Sequence, residues 1–418
     1  MSGLAKDFFD CCGGDGLTPL DDALAALAGR LRPVVGSETV PLRQAQGRVL
    51  AADQLATLAV PGFDNSAVDG WGVFADDLGQ GETRLPIGGR VAAGNPLTGP
   101  AEPGFAYRIF TGAPLPAGLD AVAMQENCRE ADGVVVLPAK LRRGDNIRLA
   151  GDSVRIGDIP LHAGIRLAAQ HLGVAATLGL TTLPVRLPLR VAIFSTGDEI
   201  CEPGRPLSAG GIYDANRFTL MALLDGLGCQ VSDLGVLPDR VEVVREMIGK
   251  AASQFDLIIT SGGVSVGEED HVKAAVQSLG SLHLWRLALK PGKPLAVGQV
   301  GDTIFLGLPG NPVAVMVTFL LFAKPLLAML SGATYREPRR YAMPAGFALS
   351  KKAGRREFPR ARIVDTPLGP VVQLFRTDSS GVLTSMTEAD GLVDLPEAAV
   401  SIAPGDPVAF LPFGELIP

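Results

Sequence analysis

The spacing of apolar positions changes three times along the chain. Leu20, Leu24, Leu27 and Leu31 recur at helical spacing behind Thr18-Pro19, with Asp21 in the first turn, which predicts an N-terminal helix. From about Leu58 to Leu149, short apolar runs such as GWGVFADD, FAYRIFTGAPLPAG and GVVVLPAKL alternate with Gly and Pro, the pattern of a small β domain with tight turns. After TLPVRLPL, strand-like runs (LRVAIFSTG, CQVSDLGVL, FDLIITSGG, LHLWRLAL, TIFLGLPG) alternate with helix-like stretches near 216–227, 239–252 and 268–279. That alternation predicts a parallel α/β sheet covered on both faces. Asn311-Pro312 then caps a long apolar helix, and from about Tyr335 the chain returns to short strand-like pieces of a small barrel or sandwich.

Composition narrows the possibilities. A chain of 418 residues has room for roughly three domains, and 47% hydrophobic against 19% charged residues supplies buried cores. A net charge of −7 argues against a nucleic-acid partner. The run from Val313 to Ala323 is expected to stop at Lys324-Pro325, short of the ~20 residues a membrane helix needs, so no membrane span is expected. The N-terminus has no apolar core of a signal peptide. The five cysteines form no C-x-x-C pair, which suggests reduced thiols and a cytoplasmic location. The four histidines lack metal-ligand spacing. One stretch is strongly basic: residues 334–362 hold nine Arg and Lys against Glu337 and Glu357.

In parallel α/β sheets ligands bind beyond the carboxyl ends of the strands, where STGDE, SGGVSVG and GLPGNP all fall. SGGVSVGEED, Ser261 to Asp270, follows a strand and opens a helix. Ser261, Gly262, Gly263, Ser265 and Gly267 therefore read either as an anion-binding loop or as an ordinary strand-to-helix turn. Gly263 to Gly267 also fits a G-x-S-x-G nucleophile elbow, but only His271 and His283 follow, too near in sequence for a triad. Asp198, Glu199, Asp239 and Asp270 lie at strand ends, as caps or as a hard-cation site for Mg²⁺. Lys290 and Lys293 flank a Pro-Gly turn, although the whole chain has only nine lysines. As point charges they suit a phosphate or another oxyanion, unless they are solvated loop residues. Asn65, Ser66, Asp69 and Gly70 form a polar turn in the β-like region.

Together, NSAVDG, RIFTGAPLP, DAVAMQE, STGDE, IYDANR, SGGVSVGEEDHV, KPGKP, GLPGNPVA, FPRAR and DSSGVLTSM, in this order over about residues 60–390, resemble the molybdopterin molybdenumtransferases, the MoeA and gephyrin E-domain family. The resemblance implies a multidomain α/β plus β fold. It comprises a helical linking domain from 1–57 and 150–186, an inserted β domain at 58–149, a molybdopterin-adenylyltransferase-like α/β domain at 187–331 and a C-terminal β barrel at 332–418. It implies a homodimer that inserts molybdate into adenylylated molybdopterin with Mg²⁺, releasing AMP. Molybdopterin adenylyltransferase and cofactor-accepting proteins would be its partners. Carried over by motif, Asp69, Thr111, Asp239 and Lys290 are implied catalytic residues, and Glu199 and Asp270 metal ligands. Arg286, Lys293, Pro309, Asn311, Arg360 and Ser380, with the Ser261–Gly267 loop, are implied on the substrates. Two other functions share parts of this pattern: a non-catalytic gephyrin-like scaffold, and a CinA-like nucleotide hydrolase. Trp71 stands where tyrosine is expected, and Ser379 where glycine is expected.

Overall fold

The computed structural model describes residues 16–263 and 271–418. Its central unit is a six-stranded sheet of β1 (Arg190–Thr196), β2 (Gln230–Leu237), β3 (Leu257–Ser261), β4 (Ser281–Arg286), β5 (Pro294–Val300) and β6 (Thr303–Leu308), in the order β2-β1-β3-β6-β5-β4. The four strands β2, β1, β3 and β6 run parallel. The sheet is not parallel throughout, as the alternation had suggested: β5 and β4 pair antiparallel at one edge. Val300 pairs with Thr303 across Gly301-Asp302, and a two-residue connection makes a hairpin, never a parallel crossover.

Both faces of the sheet are covered. Helices α4 (Val241–Ala252) and α5 (His271–Leu279) bury Val244, Ile248, Val272 and Val276 with Phe194, Ile258 and Phe305. On the other face, α3 (Asn216–Gly226) and the long α6 (Pro312–Ser331) bury Leu220, Leu224, Val317 and Leu320 with Val191, Ile259 and Leu306. The helix α6 does not end at Lys324-Pro325. A π turn at Phe319–Ala323 lets the helix continue through Pro325, whose missing N–H would otherwise break the ladder. With 20 residues and mean hydropathy 2.2, α6 is long and apolar enough to cross a membrane by length and composition, but 78% of that apolar window is buried in this fold.

Two segments remote in sequence build the linking unit. Ser37–Pro41 pairs antiparallel with Thr182–Arg186, and Leu50, Leu161, Leu183 and Val185 share a core beside α2 (Ala169–Thr177). The first helix, α1 (Leu20–Ala28), packs elsewhere, although the resemblance puts all of 1–57 in the linking unit. Its Leu20, Ala23 and Leu27 join the core of the α/β unit with Leu326 and Leu330, and Thr18 N donates to Arg286 O at 2.8 Å. Its apolar stripe finds a larger apolar face on α6 than the small linking core offers.

Between the two linking segments sits a six-stranded β unit with Trp71, Val73, Ala121 and Val135 in its core. At the C-terminus, five antiparallel strands form a sheet from Tyr341–Pro344 to Gly369–Leu374. Its two edges meet where Gly346 N donates to Val372 O at 2.7 Å, closing a small barrel.

Candidate active site

A cleft of about 670 Å³ opens beyond the carboxyl ends of β1, β3 and β6. Each turn that shapes it needs residues without bulk. After β3, Gly262 and Gly263 adopt φ of +88° and +64°, and a Cβ at Gly263 would stand 2.6 Å from Val272 Cγ2. After β6, Pro309-Gly310-Asn311 leads into the start of α6. Asn216 Nδ2 holds Gly310 O at 2.7 Å, and Val313 N donates to Ser380 O at 3.0 Å. The positive end of the long α6 therefore faces the cleft.

The cations reach the cleft from the segment between β4 and β5. Leu289–Lys290 pairs parallel with Arg356–Glu357 of the barrel unit, and Phe358 N donates to Lys290 O at 2.8 Å. Lys290 Nζ lies 3.1 Å from Asp378 Oδ2 and 3.3 Å from Glu357 Oε2. Burial works against the Lys290 charge, but these two carboxylates outweigh it and hold its pKa above the ordinary lysine value. The hydrogen bond from Lys290 holds the Asp378 carboxyl below its usual range. Lys293 also lines the cleft and pairs with no carboxylate among the described residues.

Glu199 lines the same cleft, and its side chain makes no hydrogen bond or ion pair among the described residues. Its Oε2 folds over Gly197, where a Cβ would meet it at 2.7 Å. Its loop is pinned from below. Ile212 N donates to Glu199 O at 2.8 Å, and Ile200–Cys201 pairs with Ile212–Tyr213. Beneath them the buried Arg217 binds Asp214, Asp233 and Glu202. Asp239 accepts a 3.1 Å bond from Thr196 Oγ1 on the cleft wall.

The structure thus gathers Glu199, Ser261, Gly262, Gly263, Lys290, Lys293, Pro309, Asn311 and Ser380 on one cleft, with Asp239 one hydrogen bond behind. Three expected residues lie elsewhere. Arg286 is exposed at the end of β4 and does not line the cleft. Asp69 and Thr111 meet each other on the inserted β unit: Asp69 Oδ1 accepts from Thr111 N at 2.8 Å and from Thr111 Oγ1 at 2.7 Å, which lowers the Asp69 pKa. They do not line this chain's cleft. Ser265, Gly267 and Asp270 lie outside the described residues.

Arg360, implied on the substrates by its motif, does not line the cleft. It is 2% exposed and donates to Ser385 Oγ and to the carbonyls of Thr377, Asp378 and Ser379 at 2.9–3.3 Å. It therefore fixes the loop that carries Asp378 and Ser380, behind a side cavity of about 60 Å³ shared with Lys290. Sequence reasoning assigned no role to Asp378, Asp214, Asn216 or Arg217. Each stood inside a quoted segment, DSSGVLTSM or IYDANR, so the signal was present but its partners were not.

No group of three or more His, Cys, Asp or Glu side chains that could hold a metal occurs among the described residues. Mg²⁺ takes one or two carboxylates, completed by phosphate oxygens and water, and on this cleft the side chain of Glu199 is the described carboxylate free to serve as one of them.

Comparison with known proteins finds matches along most of the chain. Three family models match in order: MoeA N-terminal region (domain I and II) at 18–179, probable molybdopterin binding domain at 192–329, and MoeA C-terminal region (domain IV) at 342–413. A molybdopterin molybdenumtransferase of Haemophilus influenzae is 38% identical over 401 residues, covering 95% of this chain and 99% of its own. Molybdopterin molybdenumtransferase 2 of Mycobacterium tuberculosis is 37% identical over 394 residues, covering 91% and 95%. A crystal structure of the molybdopterin biosynthesis moeA protein from Pyrococcus horikoshii superposes with a TM-score of 0.81 at 28% identity, covering 95% of this chain and 100% of that one.

Proposed function

The chain belongs to the MoeA family of molybdopterin molybdenumtransferases, enzymes of molybdenum cofactor biosynthesis, and from that premise we propose that it inserts molybdate into adenylylated molybdopterin in a Mg²⁺-dependent reaction that releases AMP. The observation that carries this reading is one cleft of about 670 Å³ holding Lys290, Lys293, Ser380, Gly262 and Gly263 at the start of α6. Both substrates are anions. Molybdate is a tetrahedral dianion, suited to the ammonium groups of Lys290 and Lys293 and to the Ser380 hydroxyl. The adenylylated pterin carries a pyrophosphate, suited to the glycine turn after β3 and the positive helix end.

In this reading the protein positions two anions against each other and stabilises the charge that develops when the phosphoanhydride breaks and AMP leaves. Lys290, pre-oriented by Asp378 and Glu357, is fully charged for that task. Glu199, with Asp270, would hold a Mg²⁺ that neutralises pyrophosphate oxygens when bound. The dithiolene sulfurs of the pterin, not protein thiols, would take the molybdenum.

The Asp69–Thr111 pair would act from the second chain of a homodimer, since it stands off this chain's own cleft. Molybdopterin adenylyltransferase would supply the substrate, and cofactor-accepting proteins in the cytoplasm would take the product. Reconstitution of a cofactor-free molybdoenzyme tests the reading. The wild-type chain with adenylylated molybdopterin, Mg²⁺ and molybdate should restore its activity, and Lys293→Ala should fail. Equal restoration by Lys293→Ala would overturn the assignment. Mixing Asp69→Ala with Lys290→Ala chains tests the dimer, because only mixed dimers contain one intact site.

A further inference from the structure

A second cavity, of about 140 Å³, lies where the linking unit, the α/β unit and the segment entering the barrel meet, and no residue lines both it and the cleft. Five cationic side chains line it: Arg48, Arg166, Arg186, Lys324 and Arg336, with no aspartate or glutamate among its lining residues. Arg336 belongs to the basic 334–362 stretch, which the cleft does not explain.

The partners of these cations are few. Arg48 is compensated by Glu38 at 2.6 Å and also donates to Arg186 O at 2.8 Å. Arg166 donates to Gly47 O at 2.7 Å, and Lys324 to Leu416 O at 2.5 Å. Arg166, Arg186, Lys324 and Arg336 form no ion pair among the described residues. The Nε of Arg186 is buried and has no hydrogen-bond partner among the described residues. Other acids stand nearby without pairing: Glu415 acts on Lys324 and Asp225 on Cys229, while Pro418 packs over Gly226. Burial disfavours the charges of Arg166 and Lys324. Arg166 and Lys324 lose hydration and repel each other beside the unpaired Arg186, with the exposed Arg336 at the rim, an arrangement that an anion relieves.

The size selects the class of anion. Liquid water takes about 30 Å³ per molecule, so about 140 Å³ admits a four-oxygen anion with its first waters. Pockets for drug-sized organic ligands run from about 300 Å³ upward. Guanidinium forks match oxyanion geometry two bonds at a time. We propose that this cavity is a binding site for an inorganic tetrahedral oxyanion, of the phosphate or molybdate class, which fastens the linking unit to the α/β unit through Arg166, Arg186 and Lys324.

Thermal unfolding of the full chain in low-salt, oxyanion-free buffer tests this. Titration with inorganic phosphate, and separately with molybdate, should raise Tm saturably by about 2 °C or more, while sodium chloride at equal ionic strength should not. A response to molybdate alone that persists in Lys293→Ala and is lost in Arg186→Gln would identify the substrate anion as the occupant, and a response to both anions with the same pattern a general oxyanion site. A molybdate response lost in Lys293→Ala belongs to the cleft and counts against the proposal. Lys293→Ala, in the cleft, should keep the phosphate response. Arg186→Gln and Arg166→Gln should each lose it or shift its midpoint at least about tenfold. In oxyanion-free buffer Arg186→Gln should melt no lower than wild type, because it removes an unpaired cation; a merely structural arginine would give a lower Tm. No saturable response in wild type, or an undiminished response in both arginine variants, would overturn the proposal.

Discussion

Lys290 Nζ, from the α/β unit, lies 3.1 Å from Asp378 Oδ2 of the barrel unit, so this cation of the cleft is oriented by a carboxylate from another part of the fold. The side chains are 40% and 74% exposed, which makes the pair worth little to stability, ~1 kcal/mol at most. Its consequence is for binding: an incoming oxyanion must compete with Asp378 for the ammonium.

Asp378→Asn should leave the unfolding free energy within ~1 kcal/mol of wild type and tighten molybdate binding several-fold, read by isothermal titration. Lys290→Ala should weaken it by roughly 10- to 100-fold, the value of one charge-assisted hydrogen bond. Unchanged affinity in Asp378→Asn would show that the carboxylate does not compete.

The pH dependence follows from the same pair. Lys290 is held above its ordinary value of 10.5, so the contribution of its charge is complete below 10.5 and fades as pH rises through the higher folded value. Asp378 is held below 3.8, so its contribution is complete above 3.8 and fades as pH falls through the lower folded value. Between about pH 5 and pH 9 the pair should not titrate. Side-chain NMR should find Lys290 titrating above 10.5 in wild type and lower in Asp378→Asn. A Lys290 midpoint in the neutral range would contradict the geometry.

Arg360→Ala should cost about 2–4 kcal/mol, because it empties a buried volume and strips Ser385 and three loop carbonyls of their donor. Arg360→Lys should not rescue it, since one ammonium cannot span four acceptors. Denaturant titration measures the stability loss. Molybdate affinity should fall alongside it as the 377–380 loop loosens.

Gly292→Ala should be as damaging as many core substitutions, at roughly 2 kcal/mol or more. Its φ is +113°, and a Cβ would stand 2.2 Å from the buried Thr318 Oγ1 at the foot of the Lys290–Lys293 turn. A Tm equal to wild type would refute the stated close approach. Gly301→Ala serves as control: its φ is also positive, but nothing lies within 4 Å of its Cβ.

Local features of the site were legible from residue order. Gly262 and Gly263 take the left-handed backbone their turn suggested, and Lys290, Lys293, Glu199 and Asn311 meet because alternating strands and helices put their loops at one sheet end. Long-range facts were not legible. Nothing near Lys290 in sequence names Asp378 or Glu357 as its partners, and nothing near Arg360 says that it turns inward. The stripe of α1 is equally apolar whichever unit it covers, so periodicity could not place it on α6. The rule that proline stops a helix failed at Pro325 because a π turn absorbs the lost bond in a fully packed core.

The most direct measurement is AMP release from adenylylated molybdopterin by the purified chain, followed with and without molybdate and Mg²⁺. AMP should appear in one-to-one ratio with molybdenum-loaded pterin, only when both are present, and Lys290→Ala should lose at least about tenfold. AMP release that is independent of molybdate, or none with all components present, would contradict the proposed reaction.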